Sequence, residues 1–463
     1  MCQKSQLAKL GLFDAKVPRY TSYPTVPHFG PEIGAAHLQS WLGQIPNGSQ
    51  ISLYIHIPFC RTLCWFCMCR TQGSRSDTPI SAYVAAVIQE IELLKSHLPP
   101  DVRLSRLHWG GGTPTILSPE LIRTLTQAQN SLAPLAPGAE FSVEIDPNEF
   151  DQARCDALVA AGLTRASIGV QGFDTTTQQA IGRSLSFDRV AGVVKMLRGG
   201  GVRDLNADLL FGLPHQDLAQ ICQSTRQLLS LSPDRVALYG YKHLPSTIRR
   251  QAMIPSETLP KPEDRLELFQ AASAICLEEG YEEIGIDNFA RRGDGLTLAR
   301  DQSDLDKCLK RGFQGYSDDP AKVLIGLGAS AISRFPQGYA QNAPSTARYM
   351  AAIDAGSFAT ARGHLFQGED QLRSRIIEAL LCRFTIPRDQ ILAQCPDMGA
   401  RFDALITQAC AAFPAMLTQN TNGASLAKPA QAMARVIARH FDAYEVTATE
   451  APPSTTENNQ VSA

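Results

Sequence analysis

The sequence has no apolar run approaching the roughly 18 residues that a membrane-spanning helix needs; its longest apolar stretches are broken by charge, Gly or Pro. The opening MCQKSQLAKLGLFDAKVPRY has no apolar core of about 7–15 residues, so no secretory signal is expected. An excess of either charge is also missing: 43 Lys and Arg against 45 Asp and Glu give a net charge of −2. That balance argues against a general nucleic-acid or membrane-surface binder, which would carry a basic excess, while leaving room for a local basic pocket. Apolar residues make up 44% of the 463, which rules out disorder of the whole chain. A chain of this length buries roughly 75% of its unfolded surface and needs neither disulfides nor oligomerisation to hold a core. Length suggests about two or three domains. A cytoplasmic protein is the expectation, and there the 12 cysteines stay reduced rather than paired.

A strand-then-helix rhythm starts at residue 51. Apolar, β-branched or aromatic runs occur at Ile51–Ile57, Leu104–Trp109, Glu140–Ile145, Ala166–Val170, Asp204–Leu210 and Arg235–Tyr239, as in buried strands. Between them lie helix signals. Ile80, Tyr83, Val84, Val87, Ile88, Ile91 and Leu94 share one helical face, and Ser118-Pro119 pairs a capping residue with proline at the first helical position. Six such units predict an α/β fold with a parallel sheet and right-handed crossovers. They fall short of the eight of a closed barrel. An open, partial (β/α)6 TIM-like barrel is the first expectation, and a doubly wound sheet the second.

Glu282–Asp287 is expected to add a strand, followed by a loop with a short helix to about Asp319. After about residue 345 the rhythm stops, and helical runs with a small hairpin suggest a smaller, mainly α C-terminal domain. The expected division is an N-terminal arm (1–45) over the active site, the barrel domain (46–345), the α-rich domain (346–445) and a disordered tail (446–463) rich in Thr, Pro, Asn and Ser.

In a parallel β/α array, chemistry gathers beyond the carboxyl ends of the strands. The unusual residues fall there in every unit. A cysteine-rich loop follows the first strand and Gly110-Gly111-Gly112-Thr113-Pro114 the second; Glu144 and Asp146 close the third. Gln171 follows the fourth, Asp208 lies near the end of the fifth, and Tyr239, Tyr241, Lys242 and His243 follow the sixth. Cys60, Cys64, Cys67 and Cys69 fall within ten residues, where composition gives on average about 0.26 cysteines. Thiolates at three- and two-residue gaps can converge on one metal centre. Structural zinc is the rival reading, but it favours two separated ligand pairs in a closed shell. An iron–sulfur cluster takes cysteine ligands, and three of them leave one iron open. Cys69 fits as a fourth ligand, a neighbouring thiol or a substrate contact. His56 reads as a supporting residue rather than a ligand.

Cys60-x3-Cys64-x2-Cys67, with Phe66 before the last cysteine, resembles the radical S-adenosylmethionine signature. Further motifs narrow the likeness. They include Arg19-Tyr20-Thr21-Ser22-Tyr23-Pro24-Thr25, His56-Ile57-Pro58-Phe59, Cys67-Met68-Cys69, His108 to Thr115, Glu144-Ile145-Asp146-Pro147 and Gly169-Val170-Gln171. Others are Asp208 with Phe211-Gly212-Leu213-Pro214, Asn288-Phe289-Ala290-Arg291, Phe313-Gln314-Gly315-Tyr316 and Tyr339-Ala340-Gln341-Asn342. Together they resemble the oxygen-independent coproporphyrinogen III oxidase family, from about residue 18 to 444.

The resemblance implies a 4Fe–4S cluster on Cys60, Cys64 and Cys67. It implies a first S-adenosylmethionine held by Tyr54, Gly111, Glu144 and Ile332. A second would lie among Phe66, Gly112, Thr113, Gln171, Arg183, Asp208 and Lys242. Cys69, Tyr54 and Glu144 are the implied catalytic residues. The implied reaction uses a 5′-deoxyadenosyl radical to turn two propionates of coproporphyrinogen III into vinyl groups, giving protoporphyrinogen IX in haem biosynthesis. Implied partners are that substrate and a small electron donor of flavodoxin or ferredoxin type, with no nucleic acid, no membrane insertion and a monomeric state. Arg19, Arg291 and Arg311 are candidate propionate partners. Two positions depart from the family pattern: Asn288 stands where histidine is usual, and Lys242 where a small residue is. The competing readings are another radical reaction and a haem-trafficking relative. Such carriers typically lack the Arg19–Thr25 arm and the Cys69 position that this chain has.

Overall fold

The computed structural model describes residue 12 and residues 17–304 and 307–444; the expected tail at 446–463 lies outside them. Six parallel strands form the centre: β1 (Gln50–Ile57), β2 (Arg103–Gly111), β3 (Leu135–Ile145), β4 (Arg165–Gln171), β5 (Asp204–Phe211) and β6 (Arg235–Gly240). They lie side by side in chain order. A doubly wound sheet would reverse direction at its first strand, so sequential order makes this the partial barrel. The sheet has 12 strands in a linear order whose ends do not meet. Beyond β1 come Leu324–Leu327, parallel to it, then Ile332–Phe335, Gly338–Asn342 and Thr360–Leu365 in antiparallel succession. Beyond β6 come Asn288–Arg291 and Tyr281–Ile284.

Local sequence explains the elements. β1 buries both faces except near its start and at Tyr54, as a strand covered on two sides must. The helix Thr78–Lys95 buries Ile80, Tyr83, Val84, Val87, Ile91 and Leu94. The Ser118 hydroxyl accepts the Leu121 N–H at 3.2 Å, with Pro119 at the first turn, and Asp217 with Gln220 closes a capping box.

Two differences from the sequence reading stand out. The strand expected at Glu282–Asp287 is shorter, Tyr281–Ile284, and turns back into Asn288–Arg291. The strand Thr360–Leu365 joins the main sheet although the strand rhythm is expected to stop after about residue 345. Tyr349, Ile353, Phe358 and Ala359 also pack in the barrel core. A second core joins helix Asp370–Arg383, the hairpin Leu417–Asn420 and Gly423–Leu426, and helix Ala434–His440; Tyr20 and Tyr23 of the arm belong to it.

Charge closes the amino end of the barrel. Arg106 lies 2.7 Å from Glu140, pairs with Asp318 and is 3.8 Å from Asp319. Arg165 is 3.4 Å from Glu140, and Arg235 is 2.8 Å from Asp294. Buried charges are tolerated when paired and hydrogen-bonded in this way.

Trp109 of β2 is fully buried, meets Phe141 at 5.2 Å and donates to Gln129 at 3.0 Å. Trp109→Ala is expected to cost about 3–5 kcal/mol of stability. Urea unfolding checks this: an unchanged midpoint would mean the β2–β3 core does not depend on the indole.

Candidate active site

The cysteine loop leaves the carboxyl end of β1. Cys60 ends a two-residue strand, Phe59–Cys60, paired with Gln72–Gly73, so the intervening loop is pinned at both ends. Each sulfur of the trio receives one donor. The Thr113 hydroxyl reaches Cys60 Sγ at 3.4 Å, Arg183 Nη1 reaches Cys64 Sγ at 3.4 Å, and the Cys69 N–H reaches Cys67 Sγ at 3.4 Å. Those donors come from the end of β2, from the segment after β4 and from the loop itself.

Burial pushes the Cys60 thiol up to about 11, with the Thr113 hydroxyl opposing. Burial also raises Cys64, against the pull of Arg183. Hydrogen bonding from Cys69 brings Cys67 down, while Cys69 itself is raised by the same contact. Desolvated thiols of this kind ionise when a metal supplies positive charge. Among the described residues no three His, Cys, Asp or Glu side chains converge on a point suited to a single metal ion. A multi-iron cage spreads its thiolates wider than one zinc does. Two buried polar atoms beside the loop have no protein partner, Gln171 Oε1 and Arg183 Nε. The donor set and these orphaned atoms fit an iron–sulfur cluster with a polar ligand next to it.

The glycine run lets the end of β2 pack directly against Glu144, His56 and the start of the cysteine loop. A side chain on Gly112 would come within 2.7 Å of the Phe59 carbonyl, and one on Gly110 within 2.9 Å of Glu144. Gly111 adopts φ +117, a conformation suited to glycine. Its N–H donates to Glu144 Oε2 at 2.9 Å, and His108 Nε2 lies 3.5 Å from Oε1. Burial works against the Glu144 charge, yet His108 and the Gly111 N–H hold it below the usual carboxylate range. The side chain keeps 43% of its accessible surface, so it is open to a ligand. Tyr54 stacks on His108 at 5.7 Å, and its hydroxyl lies 2.9 Å from His56 Nδ1. His56 also meets the Arg70 carbonyl at 3.2 Å, a supporting role.

The other sequence-selected residues line the same end. Ile332 backs Gly326, the register partner of Tyr54 on its far side. Arg183 Nη2 donates to the Gly169 carbonyl at 2.7 Å, beside the folded-back Gln171. The carbonyls of Phe66 and Lys242 are both held by Gln251 Nε2, at 3.0 and 3.1 Å. Asn206 donates to Asp208 at 2.9 Å. Asn288 is buried in its strand opposite Ala237. Of the three candidate propionate partners, Arg19 and Arg311 reach this end. Arg291 does not: its guanidinium lies over the Tyr281 ring at 4.9 Å and donates to the Pro233 carbonyl at 3.2 Å. His108 enters the sequence reading only as part of a motif, without its contact to Glu144, and Gln251, which carries no local signal, does not enter it.

A sequential open barrel with three thiols on the loop after its first strand defines a radical S-adenosylmethionine protein, and the Radical SAM superfamily profile matches residues 54–228. The oxygen-independent coproporphyrinogen III oxidase of Paracoccus denitrificans is 54% identical over 448 residues, covering 97% of this chain and 98% of that one. The protein of the same name from Cereibacter sphaeroides is 52% identical, covering 96% and 98%. The solved structure of the Escherichia coli coproporphyrinogen III oxidase, described as a radical SAM enzyme, superposes with a TM-score of 0.86 at 32% identity, covering 92% and 98%. The chain belongs to the oxygen-independent coproporphyrinogen III oxidase family.

Cys64→Ala is expected to lose bound iron, acid-labile sulfide and all turnover while keeping its far-UV circular dichroism, because the residue sits on a loop. An active, iron-free variant would contradict the ligand assignment.

Burial pushes Asp208 up to about 7, with Asn206 opposing and the charge of Glu144 adding to it. Its neutral form therefore favours the fold fully below the ordinary carboxylate value near 4, and that contribution is lost as pH rises toward about 7. Asp208→Asn, neutral throughout, is expected to narrow the fall in melting temperature between about pH 5 and pH 8. Equal slopes in the two proteins would exclude the shift.

Proposed function

We propose that this chain decarboxylates two propionates of coproporphyrinogen III to vinyl groups without oxygen, giving protoporphyrinogen IX in haem biosynthesis. The observation that carries the reading is the trio Cys60, Cys64 and Cys67, each sulfur given a donor, within a chain 54% identical along nearly its whole length to an oxidase of that name. When bound, a cluster on these thiols together with S-adenosylmethionine would supply the reducing electron and the radical chemistry that takes a propionate hydrogen, after which carbon dioxide leaves and one electron passes to an acceptor.

The protein's share is position and charge. Glu144, kept ionised, suits the ammonium of a first S-adenosylmethionine, with Tyr54, Gly111 and Ile332 bounding it. Arg183, whose terminal nitrogens already meet Cys64, Gly169 and Asp146, keeps an unpartnered Nε for an acceptor, and Gln171 offers an unpartnered carbonyl oxygen. With Phe66, Gly112, Thr113, Asp208 and Lys242 they make a second S-adenosylmethionine site. Cys69, next to Cys67 and within the field of Glu144, is assigned a catalytic role beside Tyr54 and Glu144. A flavodoxin- or ferredoxin-type donor, a monomeric state and a cytoplasmic setting complete the reading. No described helix is long and apolar enough to cross a membrane.

Anaerobic incubation with coproporphyrinogen III, reductant and S-adenosylmethionine is expected to release methionine and a product with two fewer carboxylates. Stoichiometric haem binding without turnover would favour a haem carrier instead.

A further inference from the structure

Three arginines from distant parts of the chain meet at the carboxyl end of β6. Arg19 Nη2, on the arm, donates to the carbonyl of Gly240, the last residue of β6, at 3.4 Å. Arg311, on the strand Lys310–Gly312, places Nη1 3.4 Å from Asp287 and its guanidinium over the Tyr316 ring at 4.6 Å. The Asp287 carbonyl in turn accepts the Leu238 N–H at 2.8 Å, which fixes the pair beside β6. Arg435 is an exposed residue on helix Ala434–His440, in electrostatic reach of Asp287, Arg19 and Arg311.

Cations outnumber carboxylates in this group: three guanidiniums lie near Asp287, and Glu378, whose Oε1 accepts the Arg311 backbone N–H at 3.3 Å, is itself surrounded by Arg375, Arg334 and Lys310. Arg311 is 6% accessible, and its Nε is buried with no hydrogen-bond partner. An unpaired buried donor on a cation is costly. Arg435 is exposed to water, yet burial lowers its pKa, with Asp287 opposing and the like charges of Arg19 and Arg311 adding. Tyr239 lies in the field of Asp208 on one side and of Asp287, Arg311 and Arg19 on the other, so the cluster adjoins the reaction end of the barrel. Guanidinium forks match a carboxylate by two parallel hydrogen bonds. A tetrapropionate substrate that reacts at two positions brings carboxylates that stay intact and need such partners.

We propose that Arg19, Arg311 and Arg435 form a carboxylate site that grips a non-reacting propionate of the substrate, with Arg435 as its outermost member. This rests on the decarboxylation reading above. The site is assembled by the chain ends. The Tyr20 hydroxyl donates to Asp442 at 3.0 Å and the Ala443 N–H to the Tyr23 hydroxyl at 2.9 Å, which brings Arg19 and Arg435 together.

The test is direct binding of coproporphyrin III, the stable oxidised tetracarboxylate, to the reconstituted protein by fluorescence. It compares wild type, Arg435→Gln, Arg435→Lys and the control Arg292→Gln on a distant exposed side chain. Arg435→Gln is expected to raise Kd and the substrate KM by about tenfold, the worth of roughly 1.4 kcal/mol. Arg435→Lys is expected to recover part of that loss, and Arg292→Gln none of it to lose. Wild-type affinity in Arg435→Gln, or equal weakening in Arg292→Gln, overturns the site. A wild-type protein that neither binds the porphyrin nor decarboxylates overturns the functional reading itself; normal wild-type turnover beside an unaffected Arg435→Gln overturns the arginine site alone.

Discussion

The arrangement depends on keeping three desolvated sulfurs in place on a single loop. Burial resists ionisation of Cys60 and Cys64, so each needs a donor held by something other than the loop. Thr113 and Arg183 supply it from the ends of β2 and the segment after β4. This works only when the strands stand in chain order with their carboxyl ends together. A reversal of sheet order at β1 would send β2 and β4 to opposite sides of that strand. The charged floor built on Arg106, Glu140, Arg165 and Arg235 pins the opposite end. Paired charges there fix register more than they add stability.

One barrel mouth holds two carboxylates in opposite states. Glu144 faces His108 and a backbone N–H and stays charged, whereas Asp208 has an amide neighbour and the repulsion of Glu144 and keeps its proton to about pH 7. Environments that push the pKa values of neighbouring acids apart separate their roles. Glu144 can meet a cation at any physiological pH, while Asp208 can donate a hydrogen bond. The two are linked, since each unit of charge placed on Glu144 raises Asp208 further.

The barrel was legible because parallel strands covered on both faces read as continuous apolar runs, and all six stand within a few residues of those runs. The thiol loop was legible because clustering is a local property. What escaped the sequence was set by distance. The strands from Leu324 to Leu365 are four to six residues long and glycine-rich, so their alternation is too brief to register. Gln251 joins the carbonyls of Phe66 and Lys242 across a loop that no periodicity marks. Arg291, last in the motif Asn288-Phe289-Ala290-Arg291, was a candidate substrate partner for its charge; its strand runs antiparallel to β6, which carries it toward the amino end beside Arg235. Arg435, in no quoted motif, lies in the field of Asp287, Arg19 and Arg311.

Chemistry and recognition are thus carried by different parts of the chain. The side chains proposed to act on the cofactors come mainly from parallel strands and the loops directly after them, where a rigid sheet limits error in position. The cations proposed to hold a substrate carboxylate come from the arm, the strand pair at 310–317 and the last helix. A sheet with unpaired ends leaves a gap wide enough for a large, flat substrate, and only elements outside the β/α series can line it. The hydrogen bonds of Tyr20 and Tyr23 to Asp442 and Ala443 make the two chain ends one surface. That surface touches the barrel at the end of β6, where Arg19 donates to the Gly240 carbonyl.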